Sequence, residues 1–288
     1  VDVLAGIAKR PSLKRVEIDR VDNGVEQTSD VVATEEPLEI RLELDDGEGG
    51  RIERSISITM RTPGNDEELA IGFLFSEGII RSAGDVLLAR PCGPPAPNGL
   101  INVVRVELAP GVGVELDRLE RHFYTSSSCG VCGKASLDAV AVQGRYEIAS
   151  NSFTIGQGLL GALPEALRSD QVVFEETGGL HASGLFDAEG KVVAVREDVG
   201  RHNALDKLIG SRLQAASLPL ENFGIALSGR ASFELMQKAM MAGCPLVAAV
   251  GAPSSLAVEL AEEFGITLVG FLKRDRFNVY ARADRLVI

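Results

Sequence analysis

Two cysteines three residues apart, in Ser126-Ser127-Ser128-Cys129-Gly130-Val131-Cys132-Gly133-Lys134, carry the chemistry most visible in this chain. A thiol pair in a polar, glycine-bracketed segment can bind metal, cycle between dithiol and disulfide, or hold sulfur as a persulfide. Each use needs different neighbours. A closed zinc site needs two further ligands. The remaining cysteines, Cys92 in Pro91-Cys92-Gly93-Pro94-Pro95 and Cys244 before Pro245, are far apart in sequence. His122, His181 and His202 show no paired spacing, and no histidine is followed two positions later by Glu. The zinc deaminase pattern of His-x-Glu upstream of Pro-Cys-x-x-Cys is therefore absent. No metal site is expected.

Dithiol exchange is the nearer rival. A thioredoxin-like pair opens a helix whose N-terminus lowers the first thiol's pKa. Lys134 to Gln143 does read as a helix, with Ala135, Leu137, Ala139, Val140 and Val142 apolar. No thioredoxin-like βαβ unit precedes it, and no aromatic-Cys-Gly-Pro-Cys sequence is present. Gly130 and Gly133 suit a loop that moves and hands a group between proteins, while Lys134 favours a thiolate at Cys129 or Cys132.

The elements that must position this loop are legible from patterning. The chain has 288 residues, a formal net charge of −12 and 45% hydrophobic residues. That is room for one large or two ordinary domains. The negative charge argues against general nucleic-acid or anionic-membrane binding. No apolar run reaches the ~20 residues of a membrane span. No signal-type stretch opens the sequence, and four cysteines fit a reducing cytoplasm, so a cytoplasmic location is expected.

Residues 1–30 are charged and weakly patterned, which suggests a flexible start. Pro37 to Leu44 and Ile52 to Met60 alternate apolar and polar side chains and pair most simply as a hairpin around 45–51. Thr62 to Glu68 opens a helix with acidic residues in its first turn, and Gly78 ends it. A strand over 101–108 completes an α+β N-terminal domain, assigned to 31–125. After the loop at 126–134, a second domain covers 135–288. It begins with a hairpin around Asp187-Ala188-Glu189-Gly190 and a short helix through Ala204, Leu205 and Leu208, with Gly210 as its stop. The last seventy residues read as β-α-β-α-β, with strands at 224–227, 246–250 and 266–271. Apolar runs separated by amphipathic helices indicate a covered, mostly parallel sheet, so the fold class is α/β.

The carboxyl ends of those strands lead into Ser228-Gly229-Arg230, Gly251-Ala252-Pro253-Ser254-Ser255 and Lys273-Arg274-Asp275-Arg276. Ligands of α/β proteins bind at this edge. Two of the loops run into helix N-termini, whose free N–H groups attract phosphate, and the third gathers cations in an acidic chain. A phosphorylated ligand is the expectation. Glu197, Asp198, Arg201, His202, Asp206 and Lys207 either line that pocket or form surface ion pairs on a short helix.

Taken in order, Thr62–Glu77, Ser127–Lys134, Gly179–Ser183, Glu197–Asp206, Leu227–Arg230 and Gly270–Tyr280 make the chain resemble the formate dehydrogenase accessory sulfurtransferase family, the FdhD family. The resemblance covers nearly all of the sequence after its charged start. It implies a C-terminal three-layer α/β/α domain like the cytidine deaminase fold. It also implies that sulfur is taken from a cysteine desulfurase and passed to the bis(molybdopterin guanine dinucleotide) molybdenum or tungsten cofactor, for a formate dehydrogenase client. On this basis Cys129 is the persulfide carrier and Cys132 a second acceptor or relay. Phe271, Leu272, Lys273, Arg274, Asp275 and Arg276 become the cofactor-contacting stretch, joined by Ser228 and Arg230. A homodimer is expected because a two-armed nucleotide ligand suits a two-fold receptor. A cofactor-binding chaperone without sulfur transfer and a thiol–disulfide oxidoreductase remain the alternatives.

Overall fold

Alternation along the central strands of the C-terminal half divides the molecule into two cores. Ile225, Leu227, Val247, Ala249 and Leu268 point to one face, and Ala226, Leu246, Ala248 and Val269 to the other. Strands buried on both faces are what a parallel sheet between helices requires. A computed structural model describes residues 10–114, 146–148 and 153–287. Cys129, Cys132, His122 and the helix expected over 134–143 lie outside the described residues.

The chain runs β1 (Leu13–Val21), β2 (Val25–Ala33), β3 (Glu36–Asp45), β4 (Arg51–Arg61), α1 (Asp66–Ser76), β5 (Val86–Pro91) and β6 (Val103–Leu108). It continues through β7 (Ile155–Gly156), α2 (Gln157–Ser169), α3 (Val172–Thr177), β8 (His181–Phe186), β9 (Val192–Asp198) and α4 (Arg201–Gln214). The last part comprises β10 (Gly224–Leu227), α5 (Phe233–Met241), β11 (Leu246–Ala249), α6 (Ser255–Glu263), β12 (Thr267–Lys273), β13 (Arg276–Ala281) and β14 (Leu286–Val287).

Six strands form the larger sheet in the order β13-β12-β11-β10-β8-β9, with β10, β11 and β12 parallel as their α-helical crossovers demand. Residues of α4, α5 and α6 share the core on one face of this sheet. Leu160, Leu163 and Leu167 of α2 cover the other. The C-terminal part is thus the three-layer α/β/α arrangement expected. A four-stranded sheet, ordered β4-β3-β6-β5, presents Leu38, Ile40, Leu42, Val104 and Val106 to α1. The hairpin β3–β4 and the strand β6 fall where alternation placed them.

Helix α1 buries seven of its eleven residues, Leu69, Ala70, Ile71, Gly72, Leu74, Phe75 and Ser76. A helix apolar around its circumference must be covered on more than one side. The four-stranded sheet covers one side and α4 the other, so one continuous core joins the two halves that the sequence suggested as separate units.

Here the structure corrects one sequence reading. Gly210 does not stop α4; it sits inside a fourteen-residue helix. Its role is close approach. A Cβ on Gly210 would lie 1.9 Å from the Glu68 carbonyl oxygen of α1, and one on Gly72 would lie 1.9 Å from the Asp206 carbonyl oxygen of α4. The backbones cross where neither helix carries a side chain. A second difference concerns the start of the chain. Residues 13–33 form the hairpin β1–β2 where weak patterning suggested a flexible segment. An isolated two-stranded hairpin is marginal in water. This one is tied down by an Arg10–Glu176 ion pair to α3.

The crossing yields a direct expectation. Gly72→Ala or Gly210→Ala should destabilise the fold by about 3 kcal/mol, at the upper end of overpacking costs, because the obstacle is rigid backbone. Urea unfolding measures this; a change within ~0.5 kcal/mol would show that the crossing is not closely packed.

Candidate functional site

The carboxyl ends of β10, β11 and β12 open onto one edge of the larger sheet, and β8, running antiparallel, brings its first residue His181 to the same edge. The Ser228-Gly229-Arg230 and Gly251–Ser255 loops lead into α5 and α6, as expected for strand-to-helix turns. Ser232 and Ser254 stand at the two N-cap positions, and Ser254 Oγ accepts from the Ala257 N–H at 3.3 Å. Two requirements of the fold already use groups that the sequence offered to a ligand. Ser228 Oγ accepts the Ala182 N–H at 2.8 Å, and the Gly251 N–H donates to the Gly229 carbonyl at 2.9 Å. The Ser228 hydroxyl proton remains available to donate.

The Phe271–Arg276 stretch comprises the end of β12, the Arg274-Asp275 turn and the first residue of β13. Phe271 adopts a left-handed backbone with φ of 52°, held by its N–H on the Gly251 carbonyl at 3.0 Å. A bulky residue in this region is unusual and costs energy that its surroundings must supply. The pairing with β13 shifts register between Gly270 and Lys273, so the strict alternation of the strand fails. Phe271 turns outward at 45% exposure, and Leu272 turns into the core at 1%. Leu272, assigned to the cofactor by resemblance, therefore has a packing role through its side chain. Lys273, Arg274, Asp275 and Arg276 are exposed. The turn is held against α2, where a Cβ on Gly161 would lie 2.3 Å from the Arg274 carbonyl oxygen, and Arg274 pairs with Glu165 at 3.1 Å.

The Glu197–Asp206 motif divides between this edge and the interior. Arg201 and His202 open α4 at the edge. His202 Nε2 lies 2.8 Å from Glu234 Oε2 and 3.4 Å from Ser232 Oγ. That contact holds the Glu234 carboxyl below the usual carboxylate range. Arg201 Nε is buried without a hydrogen-bond partner among the described residues. His181 is half-buried, and its imidazole is held below its ordinary 6.5 by burial first, then by Arg201, His202 and Arg230, with Asp198 opposing.

Asp198, Asp206 and Lys207 instead go inside. Lys207 Nζ sits 2.7 Å from Asp198 Oδ2 and donates to the Thr62 carbonyl at 2.8 Å. Asp198 also accepts from the N–H groups of Thr62 and Gly200 and from Asn203 Nδ2, at 3.1, 2.9 and 3.1 Å. Asp206 receives Lys238 Nζ on both oxygens at 2.9 Å and the Ser76 hydroxyl at 2.9 Å. Although burial opposes it, Asp206 with Glu77 keeps the Lys238 pKa raised. Arg196 makes a two-pronged contact with Glu68. These buried charges are not surface pairs, although Arg196 and Lys207 also line a second cleft, of about 400 Å³, together with Thr62 and Glu197. They hold α4 against the Thr62–Glu77 segment, and so fix where Arg201 and His202 emerge.

One feature of the edge escaped the sequence reading. A cleft of about 470 Å³ is bounded by α2, α3, the Gly178-Gly179 turn, His181, Ser228 and Val250. Its wall includes Gln171, 4% exposed, whose Nε2 has no hydrogen-bond partner among the described residues. Glu197 shapes that wall by accepting the Val173 and Phe174 N–H groups at 2.9 and 2.8 Å. The Gly-Gly pair after α3 was the only signal, and it indicates a turn, not a cleft.

A sequence profile described as the FdhD/NarQ family matches residues 33–287. The chain belongs to the FdhD/NarQ family. Among similar FdhD/NarQ proteins, the sulfur carrier protein FdhD of Streptomyces coelicolor is 52% identical over 270 residues, 93% of each chain. The sulfur carrier protein FdhD of Mycolicibacterium paratuberculosis is 54% identical over 260 residues, 89% of this chain and 92% of that one. The crystal structure of a protein from Desulfotalea psychrophila, assigned as a formate dehydrogenase accessory protein, superposes with a TM-score of 0.73 at 25% identity. That match covers 96% of this chain and all of the other. Among the described residues no helix is long and apolar enough to cross a membrane.

The lowered His181 pKa has a consequence for stability. The folded state binds a proton less readily than the unfolded chain, whose imidazole titrates near 6.5. His181 therefore contributes stability that is complete above 6.5 and is lost as pH falls through the folded value. Wild type should lose more stability than His181→Gln between pH 7.5 and 5, as read by urea midpoints across that window. Parallel profiles would contradict the assignment.

Proposed function

We propose that this FdhD-family chain carries sulfur as a persulfide on Cys129 and delivers it to the nucleotide-bearing molybdenum or tungsten cofactor of a formate dehydrogenase. The observation that carries the reading is that Cys129-Gly130-Val131-Cys132 lies within a sequence matching the family over 33–287 and sharing half its residues with proteins named sulfur carriers.

The chemistry needs a thiolate and a donor. The Cys129 thiolate attacks the outer sulfur of a persulfide on a cysteine desulfurase. A new S–S bond forms on Cys129, the old one breaks, and the donor leaves as its own thiolate, with no net oxidation. In delivery, the outer sulfur passes to the metal of the cargo cofactor and Cys129 departs as thiolate. The metal gives up the two electrons that turn sulfane sulfur into sulfide. Cys132, three positions further along the sequence, would accept the sulfur from Cys129 or relay it. A reducing cytoplasm keeps both as free thiols.

The cargo carries phosphates and planar rings, and the strand-end edge has groups to match. Arg230, Lys273, Arg274 and Arg276 supply positive charge, Arg201 and His181 stand near Arg230, and Ser228 offers its hydroxyl proton. Guanidinium groups bind phosphate through two parallel hydrogen bonds, which suits Arg over Lys at these positions. Phe271, held outward by its left-handed backbone, presents a ring on which a base or pterin can stack. One chain thus carries both the paired cysteines and the groups proposed for the cofactor pocket. A two-fold pair of chains would seat the two nucleotide arms.

Incubation with a cysteine desulfurase and cysteine should add one cyanide-labile sulfur, about 32 Da, to the wild type and none to Cys129→Ala. Intact-mass spectrometry reads the change. No added sulfur with a competent desulfurase would overturn sulfur carriage and leave a cofactor-holding role.

A further inference from the structure

His181 is crowded by cations. It opens β8 at the carboxyl edge, half-buried, and its ring lies against the Gly229 turn, where a Cβ would come within 3.2 Å of Nδ1. Arg201 and His202 at the start of α4, and Arg230 just past the turn, all act against a proton on the ring. Arg168 of α2 adds a further cation from the other wall of the cleft.

The carboxylates on the neighbouring elements are already engaged. Asp198, opposite His181 in the β8–β9 register, receives Lys207, Asn203 and the N–H groups of Thr62 and Gly200. Glu197 accepts the Val173 and Phe174 N–H groups. Glu234 holds His202 Nε2 at 2.8 Å. A proton on His181 would therefore add a charge among cations whose carboxylate neighbours are committed elsewhere.

An anion seated at this edge reverses that balance. Its charge offsets the guanidinium groups and stands close to the ring, since His181 lines the cleft beside Ser228. An opposite charge within ~4–6 Å favours the protonated form of an imidazole. We propose that nucleotide binding at this edge is coupled to proton uptake by His181, the proton coming from solvent and returning to it when the ligand leaves. Such coupling is reciprocal: phosphate strengthens the hold on the proton, and the proton strengthens the hold on phosphate by the same factor. The edge grips its cargo more tightly as pH falls and gives up a proton when it lets go. Handing the cofactor to a client enzyme is then favoured by rising pH.

The inference rests on the reading of the edge as a nucleotide-binding surface, and the experiment separates the two. Calorimetric titration of the full chain with GDP, at pH 6 in two buffers of different ionisation heat, counts the protons taken up on binding. Titration of the ligand's own phosphate is common to every protein compared and cancels. Wild type should take up roughly half a proton more than His181→Gln, and the excess should vanish at pH 8. From pH 8 to 6, wild type should gain about fivefold more GDP affinity than the variant. Equal proton counts would overturn the coupling while the edge reading stands. If GDP does not bind wild type at either pH, the edge reading fails and takes the coupling with it. A second measurement needs no variant of His181. In wild type, the assigned His181 imidazole signal, followed by NMR through pH, should titrate at higher pH with GDP than without; an unmoved titration contradicts the coupling.

Discussion

The close crossing of α1 and α4 is the constraint on which the rest of the molecule depends. Gly72 and Gly210 let two backbones meet without side chains between them. Around that contact, Lys207 and Asp198 form an ion pair almost wholly removed from water. A buried pair contributes little over an apolar equivalent, but removing one partner costs about 3–5 kcal/mol because it strands a charge. The pair therefore works mainly as a register device. Thr62 satisfies both members, giving its N–H to Asp198 and its carbonyl to Lys207, so the strand-to-helix turn before α1 can dock in only one way. The four-stranded sheet and the six-stranded sheet are then held as one body.

From this constraint the site follows. With α4 fixed, its first residues Arg201 and His202 emerge at the carboxyl edge of β10 and β11, beside Arg230 and His181. On the other side of the sheet, α2 crosses the β12–β13 turn at Gly161 and holds the cationic residues Lys273 to Arg276 in place. Phe271 stands between these clusters in a conformation that a free chain would avoid. Strain of this kind persists where surrounding structure enforces it, and it is concentrated at binding sites. The deep interior is correspondingly inert. The Cys244 thiol is buried, and burial pushes its pKa up to about 12, which removes it from any thiolate chemistry.

Much of this was readable in the sequence because alternation and turn residues respond to local physics. The β3–β4 hairpin, the parallel strands 224–227, 246–249 and 267–273, and the stops at Gly243 and Gly265 follow from patterns within a few residues. Gly210 did not, because a helix-ending glycine and a helix-crossing glycine look alike until the partner helix is known. Phe271 facing outward and Leu272 facing the core result from a register shift that no local pattern encodes. Asp198 and Lys207 looked like surface or pocket charges, since burying them makes sense only with Thr62, some 140 residues away, in place. Gln171 carried no signal because an orphaned amide is a property of the packed structure alone. The paired cysteines were the clearest chemical feature of the sequence, and their assignment rests on sequence and family.

The central claim is that sulfur held on this chain ends on the cofactor. The most direct measurement loads the protein with ³⁵S through a cysteine desulfurase, removes the donor, and adds the nucleotide-bearing cofactor followed by unsulfurated formate dehydrogenase. The account predicts that label leaves the protein and appears on cofactor extracted from the enzyme, in step with formate oxidation. Activity that returns while the label stays on the protein would contradict it.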